Sequence, residues 1–593
     1  MAAEALSRVD VGAIAESDAE LSDLDNSSPG ATKVCVTLGG RCADDASIAE
    51  LICAGASVGR IPVAHSGASG VLPLLRSLRS AANSTKALVA SLIDLKGPQL
   101  AVSASSLSSE PIVLSVDDTV VLTSHSDGLP ASHESGSLII PVEYPSLTSC
   151  IQPNDRVVVS TSLTTGAESC AVYLCVLSVH KHTVTCSALN AAELQPPLLT
   201  VRLPSMPSDL PVVSSDDAQA LQNLADAGIH PDFVSVSFSR DGVDIRAVRS
   251  FLDSVGMCDS RILGKLGTLS GLRNLWEIVH EADGLIVSRG NLGQEILSEK
   301  GFLAQAYASE TCNRAGKPCI VTRVLDSMVE NTSPTRAEST DVANAVLGGC
   351  DAIMLGAETV RGVAPAASVA VTARICAEAE RVQRLGTPYS DRNFEPTASD
   401  SFAAAAAASA VGVELDDGND VGGANAVEKR SAADQGRLEK AIAQRGEETE
   451  RGIESSAAAA VRVAEKLRAP AIIAFTRSGR TGQLISKYRP TISGGVLTVV
   501  VPQLVTKKGI KWCFKGEACS RQMALFRGLF PALADPKESE SSIFGGTSSE
   551  APESMLESAM EQAKARRLCS TGDNIVAVQR VEGAATVRCL QVR

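Results

Sequence analysis

Eight times along this chain a short run rich in Val, Ile and Leu gives way to a polar turn and then to a helix-patterned stretch. That repeat restricts the fold more than any other feature, because parallel strands need crossover connections and helices supply them. The strand-like runs are TKVCVTL (32–38), VGRIPVAHSG (58–67), ALVASLID (87–94), FVSVSF (233–238), RILGKL (261–266), GLIVSR (284–289), PCIVTRV (318–324) and AIMLG (352–356). Helix patterns follow them at 44–56, 71–82, 214–228, 244–256, 271–282, 297–316 and 335–349, and a last one ends near Val382. Eight βα units in series predict a (β/α)₈ TIM barrel, an α/β fold whose chemistry sits at the C-terminal ends of its strands.

The series is interrupted once. From 99 to 204 the helix period disappears and Val/Ile/Thr runs recur at short intervals (SVDDTVVLTS, SLIIPVEY, DRVVVSTS, AVYLCVLSV, HTVTCSAL), which reads as a small all-β domain inserted after the third strand. The barrel is thus expected in two pieces, 31–98 and 205–385. Residues 1–30 read as a flexible acidic tail, and 386–452, rich in Ala, Gly and Asp, as a solvated linker. A C-terminal three-layer α/β domain is expected over 453–593, with a helix at 453–467, a strand at 471–476, a loop RSGRTG, a helix at 483–490, a strand at 496–502 and a closing hairpin.

Composition excludes several classes. A chain of 593 residues is too long for one core. A net charge of −14 with 3% aromatics argues against a nucleic-acid partner, which calls for basic stripes and stacking platforms. The 16 cysteines include no C-x-x-C pair and the seven histidines no metal spacing, so the cysteines read as small buried hydrophobes in a reducing compartment. The acidic N-terminus fits neither a transit nor a signal peptide, and no run of about 18 apolar residues suggests a membrane span, so no membrane partner and a cytoplasmic location are expected.

The strand ends gather a set of polar groups: Arg60 and His65, then Asp94 and Lys96, Ser237, Lys265, Ser288 to Asn291, Thr322, and finally Glu358, Thr359 and Arg361. Several cations converging on one face of an acidic protein suit a substrate that carries phosphate and carboxylate groups. In the C-terminal domain, Thr476, Ser478, Gly479, Arg480 and Thr481 form a strand-to-helix turn of the kind that binds anions; a plain turn is the simpler reading of it.

The stretches DLKGP (94–98), SRGNLGQEI (288–296), CNRAGKP (312–318), SPTRAESTDVANAVLGGCDAIMLGAET (333–359), KYRPT (487–491) and RGLFPALADP (527–536) resemble the pyruvate kinase family, especially its plant-type cytosolic branch. The resemblance implies a barrel with a β lid and a C-terminal α/β domain. It also implies phosphoryl transfer from phosphoenolpyruvate to ADP, giving pyruvate and ATP, with Mg²⁺ (or Mn²⁺) and K⁺ as cofactors and a homotetramer as the assembly. Carried over by motif, Lys265 neutralises the moving phosphoryl group and Thr322 helps protonate the enolate. Arg60, His65 and Arg361 face the nucleotide. Ser237, Ser288 and the backbone of Arg289, Gly290 and Asn291 face the substrate carboxylate, and Asp94 belongs to the monovalent-cation site. The loop 476–481 matches one that takes sugar phosphates in some members.

The departures from that pattern are concentrated at the cations. Gly267 stands where a metal-binding Glu is expected, and Asn291, which the plant-type branch shares, stands where a metal carboxylate is expected. Pro62, Ala64 and Leu95 replace monovalent-cation ligands, Ala101 an arginine and Leu199 a nucleotide-side lysine. Two readings follow: a divergent pyruvate kinase with weakened or altered activity, or an inactive paralogue acting as a regulatory or assembly subunit, in a hetero-oligomer with an active one.

Overall fold

The computed structural model describes residues 30–98, 100–102, 111–124, 133–134, 137–142, 144–161, 171–194, 199–203, 210–385, 452–507, 511–534, 553–581 and 584–592. The acidic tail and nearly all of the 386–452 linker lie outside the described residues. Eight strands, β1 (Lys33–Thr37), β2 (Ala56–Pro62), β3 (Ala90–Asp94), β4 (Phe233–Val236), β5 (Arg261–Leu266), β6 (Gly284–Val287), β7 (Cys319–Thr322) and β8 (Ala352–Leu355), pair in parallel and in sequence order, and β8 returns to β1 to close the barrel. Strand alternation sorts the side chains. Cys35, Val58, Leu92, Phe233, Leu263, Ile286, Ile320 and Ala352 fill the barrel interior. Their neighbours, such as Val34, Ile93, Val234, Ile262 and Ile353, pack outward under the helices.

Three expected elements differ in detail. The run 58–67 is not one strand: β2 stops at Pro62, and Val63 opens a helix to Ser84 that breaks at Gly67 (φ 64°, ψ 166°). Proline has no N–H to carry a ladder further, and it serves as the N-cap here. His65 therefore stands on a helical turn. The 271–282 helix divides at Asn274 into Leu269–Arg273 and Leu275–Glu281. The 297–316 helix starts as a 3₁₀ turn, becomes regular at Gly301 and stops where Gly316 takes a left-handed conformation (φ 66°).

The insert is built on an eight-stranded mixed sheet in the order 100–101, 199–202, 156–161, 171–179, 183–188, 119–123, 137–141, 133–134. Its exit and re-entry are tied together by one carboxylate. Asp217 accepts from the backbone N–H of Lys96 (2.7 Å) and Gly97 (3.0 Å) in the outgoing turn. It also closes a capping box with Ser214 at the start of the helix Ser215–Asp226. Gly97 must be glycine there: its φ is +68°, and a Cβ would lie 2.8 Å from the Ser237 carbonyl oxygen.

The C-terminal domain is a five-stranded sheet in the order 529–533, 495–500, 471–476, 574–581, 584–591, parallel except for the last hairpin. Alternate residues of 471–476 serve two cores. Ile472 and Ala474 pack with Ala457, Ala460 and Val461 of the helix at 452–467, and Ile473 and Phe475 with Met555, Leu556 and Ala559 of the helix Glu553–Ala565. The domain seals the barrel at the N-terminal ends of its strands. Leu525 enters the interior core, Arg489 pairs with Asp351 just before β8 (2.6 Å), and Arg521 pairs with Asp232 just before β4 (2.9 Å). The opposite end of the barrel stays accessible.

Candidate active site

That opposite end holds a cleft of about 980 Å³, partly open to solvent, between the strand ends and the inserted sheet. Its centre is Asp94, the last residue of β3, which is 3% exposed. Arg60 of β2 donates from Nε at 2.8 Å and from Nη2 as well; Lys265 of β5 donates from Nζ to both oxygens at 2.9 and 3.0 Å; Ser235 of β4 donates at 2.6 Å. Burial would raise the Asp94 pKa, but the Arg60 and Lys265 charges outweigh it and hold the carboxyl well below the usual carboxylate range. Burial in turn pulls the Lys265 ammonium below the ordinary lysine value, with Asp94 opposing. The result is an immobilised ion network with two cations and one anion, so the wall retains positive charge.

Lys265 also reaches Ser237 Oγ at 3.3 Å, and that hydroxyl donates to the Leu95 carbonyl at 2.6 Å. Thr322 lines the cleft from the end of β7 and donates to the Val287 carbonyl at 3.0 Å. His65 lines it from its helical turn; burial and the Arg60 charge lower its pKa, so the ring is neutral near pH 7. Ser288, Gly290 and Asn291 line the cleft from the end of β6, and Lys96 lines it too, paired with Asp216 at 3.2 Å.

Four of the strand-end residues are placed or engaged as follows. The Arg289 side chain is turned away from the cleft, clamping Asp341 (2.6 and 2.8 Å) and the carbonyl oxygen of Thr322 (2.9 Å). Two residues on, Asn291 N donates to Ser288 O at 3.1 Å. Arg361 is exposed and does not line the cleft, although its charge reaches His65. Thr359 is fully buried and staples β8 to β1 through the Thr37 carbonyl (2.8 Å), a structural role.

Three residues that the strand-end reading missed line the cleft: Arg202 from the inserted sheet, and Arg323 and Asp326 after β7. Arg323 pairs with Asp326 at 2.7 Å and lies against Gly290, where a Cβ would collide with its guanidinium at 2.5 Å. Phe238 (φ +56°) and Arg323 (φ +57°) are non-glycine residues in the left-handed region, and both line the cleft, the kind of place where such strain collects. A cation in the otherwise uncharged return strand LTVR was the available sequence signal for Arg202.

The comparisons fit this geometry. The family described as pyruvate kinase, barrel domain, matches residues 30–369, and that described as pyruvate kinase, alpha/beta domain, matches residues 454–590. The chain belongs to the pyruvate kinase family. It is 36% identical over 565 residues to "Pyruvate kinase 2, cytosolic" of Oryza sativa subsp. indica, covering 95% of each chain. It is 31% identical to the "Probable pyruvate kinase, cytosolic isozyme" of Arabidopsis thaliana, covering 95% of this chain and 98% of that one. A crystal structure of a pyruvate kinase from Cryptosporidium parvum superposes with a TM-score of 0.71 at 25% identity, over 97% of this chain and 98% of that one.

The cations that the resemblance implies find few ligands here. Mg²⁺ favours carboxylate and phosphate oxygens, yet position 267 is glycine and position 291 an amide. A Cβ on Gly267 would lie 3.2 Å from Asn291 Cβ, so the two positions face one another and neither carries a charge. For K⁺, both Asp94 oxygens are already engaged, and Pro62, Ala64 and Leu95 line the cleft without side-chain oxygens. No cluster of three or more His, Cys, Asp or Glu suited to a metal occurs among the described residues.

In the C-terminal domain the loop 476–481 is a tight turn: Gly479 N donates to Thr476 Oγ1 (2.9 Å), and the helix begins at Arg480. The Met523 side chain packs over it, 2.6 Å from where a Gly479 Cβ would be.

Proposed function

We propose that this chain transfers the phosphoryl group of phosphoenolpyruvate to ADP, with activity weakened relative to a site that carries metal carboxylates. The observation that carries the reading is the Arg60–Asp94–Lys265 network at the barrel's C-terminal end, which fixes two cations against the cleft. Phosphoryl transfer needs positioning and charge neutralisation more than covalent help. Lys265 is assigned to the moving phosphoryl group, which it can reach by loosening from Asp94. Arg60 and His65 are assigned to the nucleotide side. Ser237, Ser288, Gly290 and Asn291 are assigned to the phosphate and carboxylate of the substrate, and Thr322 to the proton that reaches the enolate. No step is assigned to a resident metal.

The second reading is an inactive paralogue serving as a regulatory or assembly subunit, and the charge-free pair Gly267 and Asn291 favours it. A coupled pyruvate-formation assay separates the two. Turnover in the wild type that Lys265→Met abolishes supports the enzyme; no turnover in the wild type supports the subunit. A cytosolic location and a tetramer, homomeric or mixed with an active relative, belong to the proposal; among the described residues no helix is long and apolar enough to cross a membrane. The loop 476–481 is assigned as a plain turn, and an unchanged melting temperature on adding a sugar bisphosphate supports that assignment.

A further inference from the structure

The corner of the cleft where a divalent ion lacks ligands is not empty of charge. Arg202, the last residue of the inserted strand Leu199–Arg202, projects into it. Its guanidinium donates from Nη2 to Asn291 Oδ1 at 2.5 Å and from Nη1 to the Asn291 carbonyl at 3.1 Å, and it stacks over the Phe238 ring at 4.9 Å. We propose that the Arg202 guanidinium replaces the divalent cation at this corner, so that the cleft holds an anion bearing phosphate and carboxylate groups without a metal. The inference rests on the substrate class of the proposed function.

Three observations support it. First, Arg202 has a neutral partner. A carboxylate at 267 or 291 would neutralise it as an ion pair, whereas Gly267 and the Asn291 amide leave its charge for a ligand. Glu295, an acidic residue whose charge acts on it, is engaged by the Leu269 N–H at 2.7 Å, and burial raises its pKa. Second, the geometry suits the task. Asn291 engages two N–H groups of the planar five-donor fork, and among the described residues the others have no acceptor; such forks match carboxylate and phosphate oxygens in bidentate fashion. Third, the residue is held. It is 8% exposed, fixed at its backbone by pairing with Val158, and supported by a Phe238 ring whose own backbone is in the left-handed region. Burial lowers its pKa to about 10, so it stays charged at neutral pH. Because Arg202 arrives from the insert and grips the turn after β6, it also couples lid position to the site's charge. In a metal-based cleft the cation would come from solvent; here it comes with the lid.

The test measures phosphoenolpyruvate binding by calorimetry in EDTA and again in Mn²⁺, with bound Mn²⁺ followed by paramagnetic resonance. The expected result is a Kd within about threefold between the two conditions and no Mn²⁺ immobilised by the addition of phosphoenolpyruvate. Arg202→Met is expected to weaken binding in EDTA by tenfold or more, with Arg202→Lys recovering part of the loss. Arg202→Met, Gly267→Glu, Asn291→Asp is expected to make binding Mn²⁺-dependent. Wild-type binding at least tenfold tighter in Mn²⁺ than in EDTA overturns the inference and leaves the phosphotransfer reading standing. Binding in neither condition overturns both. The wild-type comparison needs no variant, so a poorly folding Arg202→Met does not rescue the idea.

Discussion

The two walls of the cleft solve the burial of charge in opposite ways. On one, Asp94 is surrounded by Arg60, Lys265 and Ser235, every oxygen is engaged, and the carboxyl stays ionised far below neutral pH. The other wall carries no charge at 267 or 291, and one of its acids, Glu358, is 1% exposed. Glu358 receives one backbone hydrogen bond from Gly356, and its second oxygen has no partner among the described residues. Burial, reinforced by Asp326, pushes its pKa up to about 7. The same residue chemistry is thus a fixed anion on one wall and a near-neutral acid on the other. The difference lies in whether a cation was brought within hydrogen-bonding distance.

The comparison breaks most sharply at Lys265. Lys265→Met removes the cation proposed to face the moving phosphoryl group and, under that proposal, is expected to cut the coupled pyruvate-forming rate by about 10³-fold or more, an effect of about 4 kcal/mol. Asp94→Asn leaves Arg60 and Lys265 buried with no counter-charge, and chemical denaturation is expected to report a loss of about 3–4 kcal/mol. A loss below about 1 kcal/mol would show that solvent reaches this wall.

Glu358 gives a pH signature of the opposite sign. Its folded pKa is raised above the ordinary carboxylate value of 4.5. The folded state therefore holds the proton more tightly, and the group's contribution is fully present below about pH 4.5 and lost as pH rises through about 7. Glu358→Gln is expected to remove that dependence and stabilise the protein at pH 8 by up to about 3 kcal/mol, with little effect at pH 4.5. Equal effects at both pH values would show the carboxyl is not buried unpaired.

The smallest effect sharpens the comparison at Gly267. Its φ is not in the left-handed region and a Cβ would sit 3.2 Å from Asn291, so Gly267→Ala is expected to change stability by less than about 1 kcal/mol. A loss well above that would show the 291 turn cannot give way, and that glycine is required there for packing.

Most of the architecture was legible in the sequence. The apolar runs, each followed by a polar turn and a helix pattern, correspond to the eight barrel strands; β2 is cut short by Pro62. Burial on both faces leaves a linear trace in the sequence, and so do the prolines, glycines and caps that end each element. The polar residues at the strand ends were legible for the same reason: the barrel makes every strand's C-terminus part of one surface. What the sequence by itself determined is therefore the barrel, the place of the insert, and the absence of a charged side chain at 267 and 291. The tertiary structure decided where each side chain points. It turned Arg289 out to Asp341, buried Thr359 as a staple, and made Asp94 the counter-ion of two cations. It also brought Arg202 across 89 positions of sequence to Asn291. A run of residues encodes its own period and caps, but the partner of a charge is set by distance after folding, because Coulomb and hydrogen-bond energies depend on separation in space and on burial.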